Sequence, residues 1–158
     1  MKVLIVDDSA MMRRLIGRAL GAPKDVDIEV LEAADGMQAL AMIEQHGKSI
    51  ALVLCDLNMP NVNGLSLLRS LRNSPEFRHI PFIVVTADEA NEAADQALRE
   101  GAAGVIGKPF RPEVIAALVR RRSIHGRRAT SSAFRTDTIA RMARSMSRSA
   151  RRARDQLQ

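Results

Sequence analysis

Five polar residues stand where a chain of this texture can bring them together. Asp7 and Asp8 follow the apolar run Val3–Val6, and Asp56 follows Ile50–Cys55. Thr86 ends the run that begins at Ile80, and Lys108-Pro109 comes directly after Gly104–Gly107. These runs are near-continuously apolar, as strands buried on both faces are. Each polar residue therefore falls at the carboxyl end of a strand. In an open doubly wound sheet, ligands bind at that edge, where the strand order reverses. If the first and third strands are neighbours, Asp7, Asp8 and Asp56 face one another across the crevice. Three adjacent carboxylates repel, and such a cluster is tolerable when it is protonated or when a cation sits in it. An all-oxygen donor set with few protein ligands suits Mg²⁺, which keeps several waters and accepts phosphate oxygens. A carboxylate facing that ion can attack phosphorus and become an acyl phosphate. Positioning and charge neutralisation then carry the transfer. The Lys108 ammonium can pair with one phosphoryl oxygen, and the Thr86 hydroxyl can donate to another.

The elements that must hold these residues are legible in the first 122 residues, where short apolar runs alternate with amphipathic stretches. The expected strands are Lys2–Val6, Ile28–Glu32, Ile50–Cys55, Ile80–Val85 and Gly104–Gly107. Ser9 can cap a first helix, with Met12, Leu15, Ile16 and Ala19 inward and Gly21 as its stop. Asp35 can cap a second, with Ala39, Leu40, Met42 and Ile43 on its core side. Asn63 can cap a third that buries Leu65, Leu67, Leu68 and Leu71. A fourth opens at Asp88 or the residue before it and ends at Gly101; it is Ala-rich, and Leu98 is its only large apolar residue, so weak packing is expected there. A fifth starts after Phe110, with Pro112 in its first turn, and buries Val114, Ile115, Leu118 and Val119. Five β-α units in succession imply a parallel sheet with helices on both faces.

Composition narrows the class further. Hydrophobic residues make up 46% of the 158, enough for a core of ordinary size. That core is aliphatic, because the aromatics are limited to Phe77, Phe82, Phe110 and Phe134. Cys55 is the only cysteine, which excludes an intrachain disulfide framework and a thiolate metal cluster. His46, His79 and His125 lack ligand spacing and read as ordinary histidines. The first apolar run leads straight into Asp7-Asp8, unlike a secretory signal, and no apolar stretch is long enough for a membrane span. A cytoplasmic location is expected. The net charge of +6 conceals a division. Residues 1–119 carry 12 Lys and Arg against 16 Asp and Glu, a net of −4, whereas residues 120–158 carry 12 Arg against two Asp, a net of +10.

The motifs Val6-Asp7-Asp8-Ser9, Cys55-Asp56-Leu57-Asn58-Met59-Pro60, Asn63-Gly64, Val85-Thr86-Ala87 and Lys108-Pro109-Phe110 occur in that order. Together they resemble the signature of the receiver family of two-component response regulators, of the stand-alone chemotaxis-regulator type. The similarity covers roughly residues 1–120. Any one motif is weak evidence, whereas the ordered set is specific. The resemblance implies a flavodoxin-like, doubly wound (βα)5 fold, its five-stranded parallel sheet in the order 2-1-3-4-5. It also implies that Asp56 is the phosphoacceptor, that Asp8 binds Mg²⁺ directly and Asp7 mainly through water, and that Asn58 offers a main-chain carbonyl to the metal. Thr86 and Lys108 would hold the phosphoryl group, with a cis Lys108-Pro109 bond placing the ammonium. Asn58 and Asp88 stand where the family tunes access of the hydrolytic water. A histidine kinase would donate the phosphoryl group, the domain would catalyse its own transfer and slow dephosphorylation, and the surface of the fourth helix, fifth strand and fifth helix would engage a downstream protein. In two places the chain departs from the family pattern. Val105 occupies the position three before the lysine that often holds an aromatic switch residue, so a threonine-to-aromatic relay does not carry over. Asn63 replaces the Asp that often precedes the glycine, a change a helix cap tolerates.

Taken singly, Asp7-Asp8 would read as a capping cluster and Lys108-Pro109 as a turn; their combination with Asp56 favours the site. Cys55 reads as a small buried hydrophobe. The expected division is a receiver domain at 1–122 and a basic Arg/Ser/Ala-rich tail at 123–158, either disordered or forming a short helix after Thr136 through Ile139, Met142 and Met146. That tail reads as a solvated extension, as an electrostatic arm for nucleic acid, an anionic membrane or the acidic domain itself, or as an altered end of the reading frame. No helix-turn-helix pattern and no aromatic interleaving supports sequence-specific nucleic-acid binding. A phosphate-ester hydrolase on the same acidic scaffold is the rival from another class, distinguished by multiple turnover.

Overall fold

The computed structural model describes residues 1–22, 26–88 and 90–125, with side chains described as far as Arg121. The expectations for the tail lie outside the described residues, apart from the helix that enters it. The strands are β1 (Lys2–Val6), β2 (Glu29–Ala33), β3 (Ile50–Cys55), β4 (Phe82–Thr86) and β5 (Gly104–Gly107). The α-helices are α1 (Ala10–Gly21), α2 (Gly36–His46), α3 (Gly64–Asn73), α4 (Glu92–Arg99) and α5 (Pro112–His125). All strand pairs are parallel, and the order is β2-β1-β3-β4-β5, as the resemblance implied.

Side chains alternate across this sheet, so each strand feeds two cores. Val3, Ile5, Leu52, Leu54, Ile83 and Val85 pack with Ile16 and Leu20 of α1 and Ile115 and Val119 of α5. Leu4, Val6, Val53, Cys55 and Val84 pack on the opposite face with Ile43 of α2 and Leu67, Leu68 and Leu71 of α3. Residues buried on both faces explain the unbroken apolar runs of β1, β3 and β4.

Ser9, Asp35 and Asn63 cap α1, α2 and α3, each side chain accepting from the main-chain N–H three residues on. The opening of α4 differs from expectation. Its cap is Asn91, whose Oδ1 accepts from the Ala94 amide at 2.8 Å. Asp88 instead accepts from the Ala90 amide at 3.2 Å, so its carboxylate closes a turn in the loop. The strand β2 lies one residue later than expected, and β4 begins at Phe82 because Pro81 has no N–H to give to a ladder. Leu15 is 42% exposed rather than inward. It lies about 100° round the helix from Ile16, and the inward stripe is Met12, Ile16, Ala19 and Leu20.

Two glycines are fixed by geometry. A Cβ at Gly64 would collide with the main-chain carbonyl of Asp56, so the start of α3 can lie against the end of β3 only without a side chain. Gly101 closes α4 at φ +102°, in the left-handed region that suits glycine.

Candidate functional site

Main-chain hydrogen bonds gather the polar residues at one end of the sheet. Asp7 follows β1, and its amide donates to the Ala33 carbonyl of β2 at 3.1 Å. Asp56 follows β3, and its amide donates to the Val6 carbonyl at 2.9 Å, tying the ends of the two central strands together. Thr86 is the last residue of β4, and its carbonyl accepts from the Lys108 amide at 2.7 Å. The Lys108-Pro109 peptide bond is cis.

The side chains converge as the sequence suggested for four of the residues. One carboxylate oxygen each from Asp7, Asp8 and Asp56 lies within 4.8 Å of the others. Asp7 and Asp56 are buried, at 1% and 8% exposure, and Asp8 is exposed. The Lys108 Nζ bridges two of them, donating to Asp7 Oδ2 at 2.8 Å and pairing with Asp56 Oδ2 at 3.4 Å. Asp7 Oδ1 accepts from the Ser9 amide at 2.9 Å, which leaves this carboxylate little freedom to turn. Asp56 Oδ1 receives only a long contact, 3.4 Å, from the Asn58 amide.

Burial pushes the Asp56 carboxyl above its ordinary range; Lys108 pulls the other way, and the charge of Asp7 adds to the rise. Burial alone would lower the Lys108 ammonium, but its hydrogen bond to Asp7 and the charges of Asp56 and Asp7 outweigh it, and the net shift is upward. Burial also raises the Cys55 thiol well above its usual value, aided by the neighbouring Asp56 charge. Such a thiol stays protonated and inert, in keeping with its reading as a core residue.

The donor set fits a hard divalent cation. It is all carboxylate oxygen, and three acids against one ammonium leave the pocket negative. The Thr86 hydroxyl is fully buried and has no hydrogen-bond partner among the described residues. A buried hydroxyl left without a partner is costly and calls for an explanation; a ligand oxygen at the end of β4 provides one. The remaining sequence candidates do not join the carboxylate cluster through their side chains among the contacts of the described residues. Asn58 and Asp88 are both exposed loop residues. Val105 is 9% exposed, pairs with Val84 in the sheet and packs in the core on the α2–α3–α4 side.

A sequence profile of the response regulator receiver domain matches residues 3–120. The chain belongs to the response regulator receiver family. Among its relatives, the chemotaxis protein CheY1 of Helicobacter pylori is 37% identical over 115 residues, which cover 73% of this chain and 90% of that protein. The chemotaxis protein CheY of Pseudomonas aeruginosa is 36% identical over 116 residues, with coverage of 73% and 90%. The solved structure of Vibrio cholerae chemotaxis protein CheY4 aligns with a TM-score of 0.67 at 31% identity, covering 76% of this chain and 96% of that one. This receiver domain is thus a module of two-component phosphorelay signalling. Among the described residues no helix is long and apolar enough to cross a membrane.

Sequence reasoning passed over Arg13. Its Nη1 donates to the main-chain carbonyl of Asp7 at 2.7 Å and its Nε to Glu32 Oε2 at 2.8 Å. Nothing in the sequence links residues 13 and 32 until β1 and β2 are known to be neighbours.

Proposed function

We propose that Asp56 accepts a phosphoryl group from a phosphohistidine of a partner kinase, and that Asp7, Asp8, Thr86 and Lys108 form the machinery for that transfer. The observation that carries this reading is the convergence of three carboxylates within 4.8 Å with Lys108 bridging two of them. An Asp56 oxygen attacks phosphorus, a P–O bond forms, and the P–N bond to the imidazole breaks. The released ring keeps its electron pair and takes a proton from solvent. Mg²⁺, held by the carboxylates of Asp7, Asp8 and Asp56 and the main-chain carbonyl of Asn58, would supply charge neutralisation for the phosphoryl oxygens. Lys108 can swing from its bridge to pair with one of those oxygens, and the Thr86 hydroxyl donates to another. Reversal is hydrolytic: water attacks phosphorus, inorganic phosphate leaves, and the Asp56 carboxylate is restored. Asn58 and Asp88, exposed beside the site, set how readily that water arrives.

On this reading the chain acts on itself and does not turn over a free substrate. It resides in the cytoplasm with its kinase and signals by contact with a downstream protein, in chemotaxis or a related response. Residues 1–122 form the working domain, followed by the arginine-rich basic sequence of residues 123–158. Val105 has no ring to swing inward, so output runs without an aromatic relay.

The test is incubation of the full chain with Mg²⁺ and acetyl phosphate, followed by intact-mass measurement beside an Asp56→Asn control. The expected result is one phosphoryl adduct that requires Mg²⁺ and is missing from the control. Multiple turnover of the phosphate donor without an adduct would instead indicate a hydrolase.

A further inference from the structure

A connected run of alternating charge leads from the edge of the sheet to Asp56. Glu32 stands on the edge strand β2 with its side chain 45% exposed, and Oε2 accepts from Arg13 Nε. The Arg13 side chain is only 17% exposed, so water competes poorly for its second contact, the 2.7 Å bond from Nη1 to the Asp7 carbonyl. Asp7 then binds Lys108, and Lys108 pairs with Asp56.

The carbonyl that Arg13 holds belongs to the peptide unit joining Asp7 to Asp8. That unit is planar and rigid, so fixing its oxygen fixes the direction in which the chain enters Asp8. On the other side of Asp7, its amide is already held by Ala33. The two anchors lie on consecutive β2 residues, Glu32 and Ala33. We propose that Arg13 is a positioning residue for the acidic pocket: by clamping the Asp7 carbonyl to Glu32 it sets the orientation of the Asp7-Asp8 peptide, and with it the spacing of the carboxylates that receive the divalent cation. The proposal rests on the reading of that cluster as a cation site.

Arginine suits the role because its fork offers separate N–H groups in a fixed plane, one for Glu32 and one for the carbonyl; a lysine ammonium is a single point on a flexible stem. Geometry and charge make opposite predictions. A positive side chain near three carboxylates repels an incoming cation, so if charge alone mattered, its removal would tighten binding. If Arg13 positions the turn, its removal weakens binding.

Full-length Arg13→Ala, Arg13→Lys and Glu32→Gln are compared with wild type in two measurements. The first is Mg²⁺ affinity by isothermal titration calorimetry. The second, made without metal, is hydrogen exchange at the two bonded amides of the turn, Asp7 and Ser9. Positioning predicts that both Arg13 variants lose about 10–100-fold in Mg²⁺ affinity, the size typical for partners that orient metal ligands, with a smaller loss in the same direction for Glu32→Gln. Exchange at Asp7 and Ser9 should accelerate in the same variants while the amides of β3 keep their protection. Tighter or unchanged Mg²⁺ binding in Arg13→Ala, with wild-type behaviour in Arg13→Lys, overturns the proposal in favour of charge alone. If wild type itself binds no Mg²⁺, the cation reading of the pocket fails; exchange that is unchanged in the variants then overturns the clamp as well. Should Arg13→Ala fail to fold, Arg13→Lys and Glu32→Gln decide the outcome alone.

Discussion

Helices α3 and α4 lie side by side on one face of the sheet, and they are held there by different forces. Helix α3 buries Leu67, Leu68 and Leu71 completely. Each buried leucine contributes roughly 1.5–3 kcal/mol of transfer free energy. Helix α4 buries only Ala94 and Ala97, with Leu98 partly covered. Its attachment is polar and concentrated at its C-terminal end. Arg69 of α3 makes a two-pronged bond to Glu100, at 2.7 and 2.8 Å, and Gln96 of α4 itself holds that carboxylate from within the helix at 3.0 Å. Arg72 donates twice to the Gly101 carbonyl and once each to the carbonyls of Arg78 and Ile80. The opposite end of α4 follows the exposed residues Ala87 and Asp88, close to Thr86 of the site. Apolar packing locks a helix along its length, whereas polar fastening at one end leaves the other able to move. Of the two helices, the one whose start lies beside the proposed phosphoryl site is thus the less restrained by the core, as expected of parts that respond to ligands.

The largest effect should come from the packed helix. Leu68→Ala is expected to cost about 2–5 kcal/mol in urea unfolding, and Leu98→Ala clearly less; equal losses would show that α4 is packed like α3. Next in size is Arg72→Ala, which leaves three carbonyl groups to find other partners and should cost about 1–3 kcal/mol. The accompanying sign is faster amide exchange at Gly101 and Ala102 than in α3; uniform acceleration across both helices would mean that Arg72 serves the whole domain rather than the α4 end.

The smallest effect concerns pH. The Arg69 hydrogen bond holds the Glu100 carboxyl below its ordinary value of 4.5. A depressed folded-state value means that this fastening is present above that ordinary value and is lost as pH falls through the lower folded one. Protection factors in the last turn of α4, with the intrinsic exchange rate at each pH divided out, should therefore fall at acid pH in wild type, and Arg69→Ala should already show the lower values near neutrality. Both residues are solvent-accessible, so the melting temperature should hardly change. A marked fall in melting temperature would mean that the pair contributes to the core fold.

The difference between the two helices was partly legible in the sequence. The leucine spacing of α3 and the alanine content of α4 were plain, and β1, β3 and β5 have the bounds their apolar runs suggest. Strand-end positions also single out Asp7, Asp8, Asp56 and Lys108, which the fold brings together. What stayed hidden depends on choices between equivalent residues or on contacts across the fold. Asp88 and Asn91 are both good caps, and only the local geometry assigns the loop turn to one and the helix to the other. Leu15 and Ile16 are adjacent and equally apolar, so a shift in helix phase decides which is buried. Arg13, Arg69 and Arg72 look like surface charges in the sequence, yet each bonds to a residue far away along the chain, Glu32, Glu100 and Gly101 respectively.

The central claim, that Asp56 becomes an acyl phosphate, can be tested at the level of the residue. After treatment with acetyl phosphate and Mg²⁺, borohydride reduction converts an aspartyl phosphate to homoserine, and peptide mapping then locates the change. The account predicts homoserine at position 56 alone, in a Mg²⁺-dependent manner. Reduction at Asp7 or Asp8, or a phosphoryl group that survives in an Asp56→Asn chain, would contradict it.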